Sequence, residues 1–109
     1  MELQYRMEVV EGTAKIWIGG RLDATNALAF QDELKKIIGQ DISRIMFFAE
    51  DLEYIASAGL RVMIFVKQRI GMNAQVSLIG ARKSVLDVVK MSGLDTFMTI
   101  EDTPQSETE

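Results

Sequence analysis

With 109 residues, 48% of them hydrophobic, the chain is long enough to close one apolar core and too short for two. Twelve Lys and Arg against 16 Asp and Glu leave a net charge of −4 without a basic cluster, which argues against a nucleic-acid backbone as partner. The absence of cysteine and histidine excludes disulfides, thiolate nucleophiles, the usual zinc sites and any side-chain base that titrates near neutrality unaided.

The first ten residues, MELQYRMEVV, are charged and alternating, unlike the apolar core of a signal peptide. Leu3, Tyr5, Met7 and Val9 fall on one face and Gln4, Arg6 and Glu8 on the other, the period of a half-buried strand. EGT (11–13) makes a turn, AKIWIGG alternates again, and Gly19–Gly20 is the expected end of a hairpin. ATNALAFQDELKKIIG then changes period: Ala27, Phe30, Leu34, Ile37 and Ile38 recur at helical spacing, with Thr25 or Asn26 as a cap and Gly39 as the close.

RIMFFAE (44–50) is a short apolar run flanked by charges, which predicts a strand buried on both faces. From Leu60 to Val66 the apolar residues surround a helix on nearly all sides, predicting a helix sandwiched inside the protein and running to Gly71. QVSLIG (75–80) reads as a central strand. ARKSVLDVVKMSGL reads as a third helix, Val85, Val88 and Val89 inward and Gly93 a left-handed cap. TFMTI is a last strand, and EDTPQSETE (101–109) an acidic solvated tail. The apolar runs IMFFA and VMIFV fall far below the ~20 residues needed to cross a bilayer. A single α/β domain over residues 1–100 is expected, located in the cytoplasm: a mixed sheet that begins with a hairpin and continues with alternating helices and strands.

Two short stretches can carry chemistry. Ser57 stands in EYIASAGLRVMIF at the mouth of the second helix, and two readings of it are open. As an N-cap, its hydroxyl would accept a bond from a backbone N–H of the first turn. As an acceptor of a phosphoryl group, it would gain about −1.5 to −2 charges beside the acidic Glu50, Asp51 and Glu53, and the change would act on a partner rather than on the fold. Hydrolysis is excluded, because G-x-S-x-G and a histidine are both missing. In GGRLDATN, Asp23 is either a turn residue or an exposed carboxylate for a partner's arginine. No phosphate-binding glycine loop of the usual patterns occurs.

GGRLDATNALAFQDEL, DLEYIASAGLRVMIF and VLDVVKMSGLDTFMTI, in this order and spacing, resemble the STAS-domain anti-sigma factor antagonists of bacteria, over about residues 3–100. The most specific part is that family's D-S-[ST]-G-L motif, here ASAGL. The resemblance implies a STAS-like mixed sheet with helices packed on it; the residues themselves offer no nucleophile–base pair or metal cluster, so neither an enzyme nor a cofactor is expected. It implies a partner switch in which Ser57 is phosphorylated by an anti-sigma factor that is also a kinase of the histidine-kinase-like ATPase type. The unphosphorylated form binds that kinase and frees the sigma factor, and a metal-dependent serine phosphatase resets the cycle. The partner-binding positions so implied are Asp23, Ala56, Ala58, Gly59 and Leu60. Ala56 replaces the motif's aspartate, removing a negative group beside the serine. Ala58 replaces its second hydroxyl, leaving Ser57 the sole acceptor. The competing expectation is a structural STAS subunit of a transporter or signalling assembly, with Ser57 only a cap.

Overall fold

A computed structural model describes residues 2–70 and 73–101. The expected tail lies outside the described residues from position 102 onward, as does Gly71, the expected end of the second helix. The elements run β1 (Leu3–Val10), β2 (Thr13–Leu22), α1 (Ala27–Leu34) with a 3-10 turn (Lys35–Ile37), and β3 (Arg44–Ile55). There follow α2 (Ser57–Phe65) with a π-helical turn (Val66–Ile70), β4 (Gln75–Ile79), α3 (Lys83–Met91), a 3-10 turn (Leu94–Thr96) and β5 (Thr99–Glu101).

The five strands form one sheet in the order β1-β2-β3-β4-β5, β1 antiparallel to β2 and the remaining neighbours parallel. Each parallel crossover steps the same way across the sheet. Right-handed connections therefore place α1, α2 and α3 on one face. Register and burial agree with that arrangement. Ala14, Ile45 and Val76 make one cross-strand row and Ile16, Phe47 and Leu78 the next, all of them buried. Phe30, Leu34, Val62, Met63, Val66, Val85 and Val89 of the helical layer close the core over them.

On the reverse face Arg6, Trp17, Phe48 and Ile79 form a row of their own. Trp17 and Phe48 stack with centroids 5.1 Å apart, and the Arg6 guanidinium lies 4.3 Å from the Trp17 ring. Trp17 and Phe48 stay half-buried there, so β3 is not covered on both faces as its apolar run suggests. It is a long strand with one wall in the core and one partly open.

Several boundaries differ from the sequence expectation for identifiable reasons. β2 does not stop at the glycine pair: it continues to Leu22 through two register shifts, between Trp17 and Gly19 and between Gly20 and Arg21. Gly20 has φ +84°, and a Cβ there would run into the carbonyl oxygen of Glu2, so β1 and β2 meet more closely than any other residue allows. β3 extends five residues past the apolar run, because Leu52 and Ile55 still point into the core while Glu50, Asp51, Glu53 and Tyr54 face solvent.

α1 spans only Ala27–Leu34, since Ile38 already has extended backbone (ψ 132°) leading into the loop. α2 is not sandwiched: Gly59, Val62, Met63 and Val66 are buried, but Ile64 is 40% exposed. The last strand is Thr99–Glu101 rather than 96–100, Thr96 closing a 3-10 turn and Phe97 standing 59% exposed. Gly93, at φ +81°, ends α3 as expected.

Candidate functional site

The ends of β2 and β3 are paired, Leu22 against Ile55, and the Ala56 N–H donates to the Leu22 carbonyl at 2.9 Å. This one bond sets the start of α2 beside the loop that follows β2, and so brings the Ser57 and Asp23 segments to the same end of the sheet.

Ala56 occupies the N-cap of α2, with extended backbone (φ −96°, ψ 174°), and its carbonyl accepts the first helical bond from the Leu60 N–H at 3.0 Å. Ser57 is therefore the first helical residue and not the cap. No side-chain bond caps this helix, and Ser57 itself is exposed. The hydroxyl sits at the positive end of a helix whose first N–H groups have no intrahelical acceptor. A helix cap is thus not what Ser57 supplies. Ser57→Ala is expected to change unfolding free energy by less than about 0.5 kcal/mol in chemical denaturation, as for an ordinary surface position. A loss of about 1 kcal/mol, typical of a deleted cap, would restore the capping reading.

The small residues around Ser57 have separate tasks. A Cβ on Gly59 would stand 2.8 Å from Ile55 Cγ1 and 2.8 Å from Leu22 Cγ. Gly59 is buried, and the surface it admits is the protein's own core, which draws the first turn of α2 down onto the ends of β2 and β3. Ala56, Ala58 and Leu60 are half-buried around it. Ser57, Arg61 and Ile64 are left exposed along one side of α2.

Asp23 is half-buried and committed to its own loop. Its carboxylate accepts the Thr25 hydroxyl at 2.6 Å and the Thr25 N–H at 3.0 Å, with Arg21 Nε 3.8 Å away. Its carbonyl accepts the N–H groups of Asn26 and Ala27. Asn26 occupies the N-cap of α1 as expected, its carbonyl accepting the Phe30 N–H at 3.0 Å, but its side chain turns back: its Oδ1 accepts the Asp23 N–H at 3.0 Å and its Nδ2 donates to the Arg21 carbonyl at 2.9 Å. The turn reading of Asp23 is realised, and the freely exposed carboxylate is not.

The Thr25 hydroxyl and N–H, with Arg21 beside them, hold the Asp23 carboxyl below its ordinary 3.8. A depressed carboxylate pKa stabilises the folded state fully above the unfolded value. Asp23→Asn is therefore expected to lower the melting temperature at neutral pH. The difference from the parent protein narrows as pH falls below 3.8 and through the lower folded-state value. A difference independent of pH would show that the ionised carboxylate is not what the loop uses.

Sequence reasoning did not single out Arg21 and Tyr54, although they face each other across β2 and β3, the guanidinium 4.1 Å from the ring centroid. Register made them neighbours, and register is invisible before the bulges are known. Ile64 likewise looked like core. It lines an apolar cleft of about 150 Å3 with Lys67, Gln68, Leu94 and Phe97. Of the acids expected to surround Ser57, Glu50 and Asp51 line a shallow groove with Arg6, Trp17 and Phe48 on the reverse of the sheet.

Among the described residues no helix is long and apolar enough to cross a membrane. Nor do three or more Asp or Glu side chains gather there as they would to hold a metal ion.

A family model described as the STAS domain matches residues 4–107. The anti-sigma-F factor antagonist RsfB of Mycobacterium tuberculosis is 21% identical over 95 residues, covering 84% of this chain and 78% of that protein. Among solved structures, an anti-sigma factor antagonist from Mycobacterium paratuberculosis superposes with a TM-score of 0.83 at 14% identity, covering 96% of this chain and 90% of the other. The Bacillus cell fate determinant SpoIIAA in its phosphorylated form superposes with a TM-score of 0.73 at 19% identity, covering 96% of each chain. At these identities the structural likenesses speak for the fold.

Proposed function

Since this chain belongs to the STAS domain family, we propose that it is an anti-sigma factor antagonist that changes partners according to the phosphorylation of Ser57. In the unphosphorylated form it binds an anti-sigma factor that is also an ATP-dependent serine kinase of the histidine-kinase-like type, and the sigma factor is released. Transfer of the terminal phosphoryl group of ATP forms the bond from Ser57 Oγ to phosphorus, breaks the bond to the leaving ADP and releases the hydroxyl proton. The partner then lets go, and a metal-dependent serine phosphatase restores the hydroxyl. The chain supplies the acceptor and the docking face, and the partners supply the chemistry.

The observation that carries this reading is the uncommitted, exposed hydroxyl of Ser57 at the start of α2, a helix that does not need it as a cap. A phosphate there would meet free N–H groups and the favourable end of the dipole, worth about 0.3–1 kcal/mol. The fold would accept the modification and only the surface would change. Around Ser57 the docking face comprises Ala56, Ala58 and Leu60, the Asp23 loop, and Gly59 acting from beneath by setting the height of the turn. The names of the relatives support the reading, since they are antagonists of anti-sigma factors and one was solved phosphorylated.

The test is affinity capture from the native host with tagged parent protein and Ser57→Asp side by side, bound proteins being identified by mass spectrometry. Retention of a small ATPase-type kinase by the parent alone supports the switch. Retention of the same transporter or scaffold by both would favour a structural subunit.

A further inference from the structure

The outer edge of β1 is long and open. Among the described residues β1 has a strand neighbour on one side only, and its pairing with β2 runs from Leu3–Gly20 to Val10–Thr13 without a register shift. It contains no proline and no bulge. The opposite edge of the sheet, β5, has only three residues among those described. β1 has eight residues, and Tyr5 and Val10 on it are 43% and 49% exposed. Such an edge is a template for another strand unless its side chains forbid the pairing.

The side chains oppose two of the central registers and favour one. We propose that β1 is a self-association edge, on which a second copy of this chain pairs antiparallel through its own β1 with Met7 on the two-fold axis. Side chains directly opposite in a sheet lie on the same face, and β1 has its Gln4, Arg6 and Glu8 on the reverse face and Tyr5, Met7 and Val9 on the helical face. Tyr5 confirms the assignment by packing on Phe30 of α1, with centroids 5.1 Å apart.

A two-fold axis that keeps both helical layers on one side must therefore pass through a residue position. Centred on Arg6, it sets Arg6 against Arg6 of the other copy. Centred on Glu8, it sets the two Glu8 carboxylates together. Centred on Met7, it places each Arg6 opposite the other copy's Glu8, twice by symmetry, and Tyr5 opposite Val9, while Gln4 meets Val10. Like charges directly opposite destabilise a ladder and opposite charges support it. The opposed charges two residues apart thus act as a filter: within β1 they disfavour the registers centred on Arg6 and on Glu8 and pair with opposite charges in the one centred on Met7. The pair is isologous, closes on itself and extends the sheet across both copies without forming fibres.

This inference does not rest on the switch at Ser57. Its test uses the purified protein alone. Sedimentation over a wide concentration range is expected to show a monomer–dimer equilibrium for the parent chain. Arg6→Glu and Glu8→Arg each weaken self-association roughly tenfold or more, and the double variant, which restores opposite charges across the axis, recovers most of it. Circular dichroism of each variant checks the fold, because Arg6 also covers Trp17.

A second readout leaves both charges in place. The natural chain has no cysteine, so single cysteines report contacts cleanly. Directly opposite Cα atoms in an antiparallel pair are roughly 4.5–5.5 Å apart, within the roughly 4.4–6.8 Å that a disulfide spans. Met7→Cys is expected to oxidise to a covalent dimer. Tyr5→Cys and Val9→Cys should each form no covalent dimer alone and cross-link when mixed. A parent chain that stays monomeric at every concentration, a double variant that fails to recover, or self-linking of Tyr5→Cys as readily as Met7→Cys would each overturn the proposal.

Discussion

Ser57→Asp is expected to weaken partner binding at least about a hundredfold, roughly 2.7 kcal/mol, while leaving the melting temperature unchanged or slightly raised. The two effects have opposite signs because they arise on opposite sides of the same atom. Toward the protein, a carboxylate at the first position of α2 faces free N–H groups and the positive helix end, a favourable contact of about 0.3–1 kcal/mol. Toward the partner, a fixed negative charge appears where a neutral hydroxyl had docked, and a charge left unpaired in an interface costs several kcal/mol. Ser57→Ala separates charge from the loss of the hydroxyl: it should keep binding and be unable to accept phosphate. Calorimetric titration against the purified partner, with far-UV circular dichroism and thermal melts alongside, reads both quantities. An unfolded Ser57→Asp variant would contradict the argument that the switch works through the surface. Unchanged binding would remove the switch itself.

The second large effect is expected at Gly20, where alanine should destabilise the protein by about 2–4 kcal/mol. The φ of +84° alone costs an L-residue about 1–2 kcal/mol. The added Cβ also meets the Glu2 carbonyl oxygen, which is backbone and cannot rotate away as a side chain would. Relief requires the start of β1 to move off β2, unpairing Leu3 from Gly20. The loop holding Asp23 hangs from the same end of β2, so its bonds to Thr25 and Asn26 loosen with it. Gly39 provides the comparison: its φ is +95° and nothing lies within 4 Å of a Cβ there. Gly39→Ala should therefore show the conformational penalty without the clash, and urea unfolding of the two variants reports the difference. Equal losses would mean that the approach of Glu2 contributes nothing.

How far the sequence could be read depended on whether a residue answers to its local period or to a distant strand. β1 and β4 were legible because alternation and short apolar runs decide them locally. α3 was legible through Val85, Val89 and the left-handed Gly93. The far half of β3 was not, because Glu50, Asp51 and Glu53 look like a loop until pairing with β2 holds them extended. The glycine pair looked like a strand end and is instead a place where two strands nearly touch. The apolar stretch through α2 hid both its exposed Ile64 and the π-helical turn that follows, since an all-round apolar pattern cannot say which side lacks a neighbour. The candidate site residues Ser57 and Asp23 stand out by residue type and position. Whether Ser57 was cap or first helical residue turned on one residue of offset, and spacing does not resolve that. Arg21 and Tyr54 needed the register itself.

The strands of the sheet lie side by side in the order in which the chain is synthesised. A nascent chain leaving the ribosome could therefore build outward from the first hairpin, each arriving strand finding its only earlier neighbour in place. No strand has to be inserted between two others already made, so no half-built core must reopen. The order also runs in reverse. β5, among the described residues the shortest strand and the last, can detach without disturbing β2 or β3, whose paired ends carry the Asp23 loop and the start of α2. Amide exchange should be fastest at β5 and slowest along β2 and β3, leaving the end of the sheet that carries Ser57 and Asp23 on its most durable part.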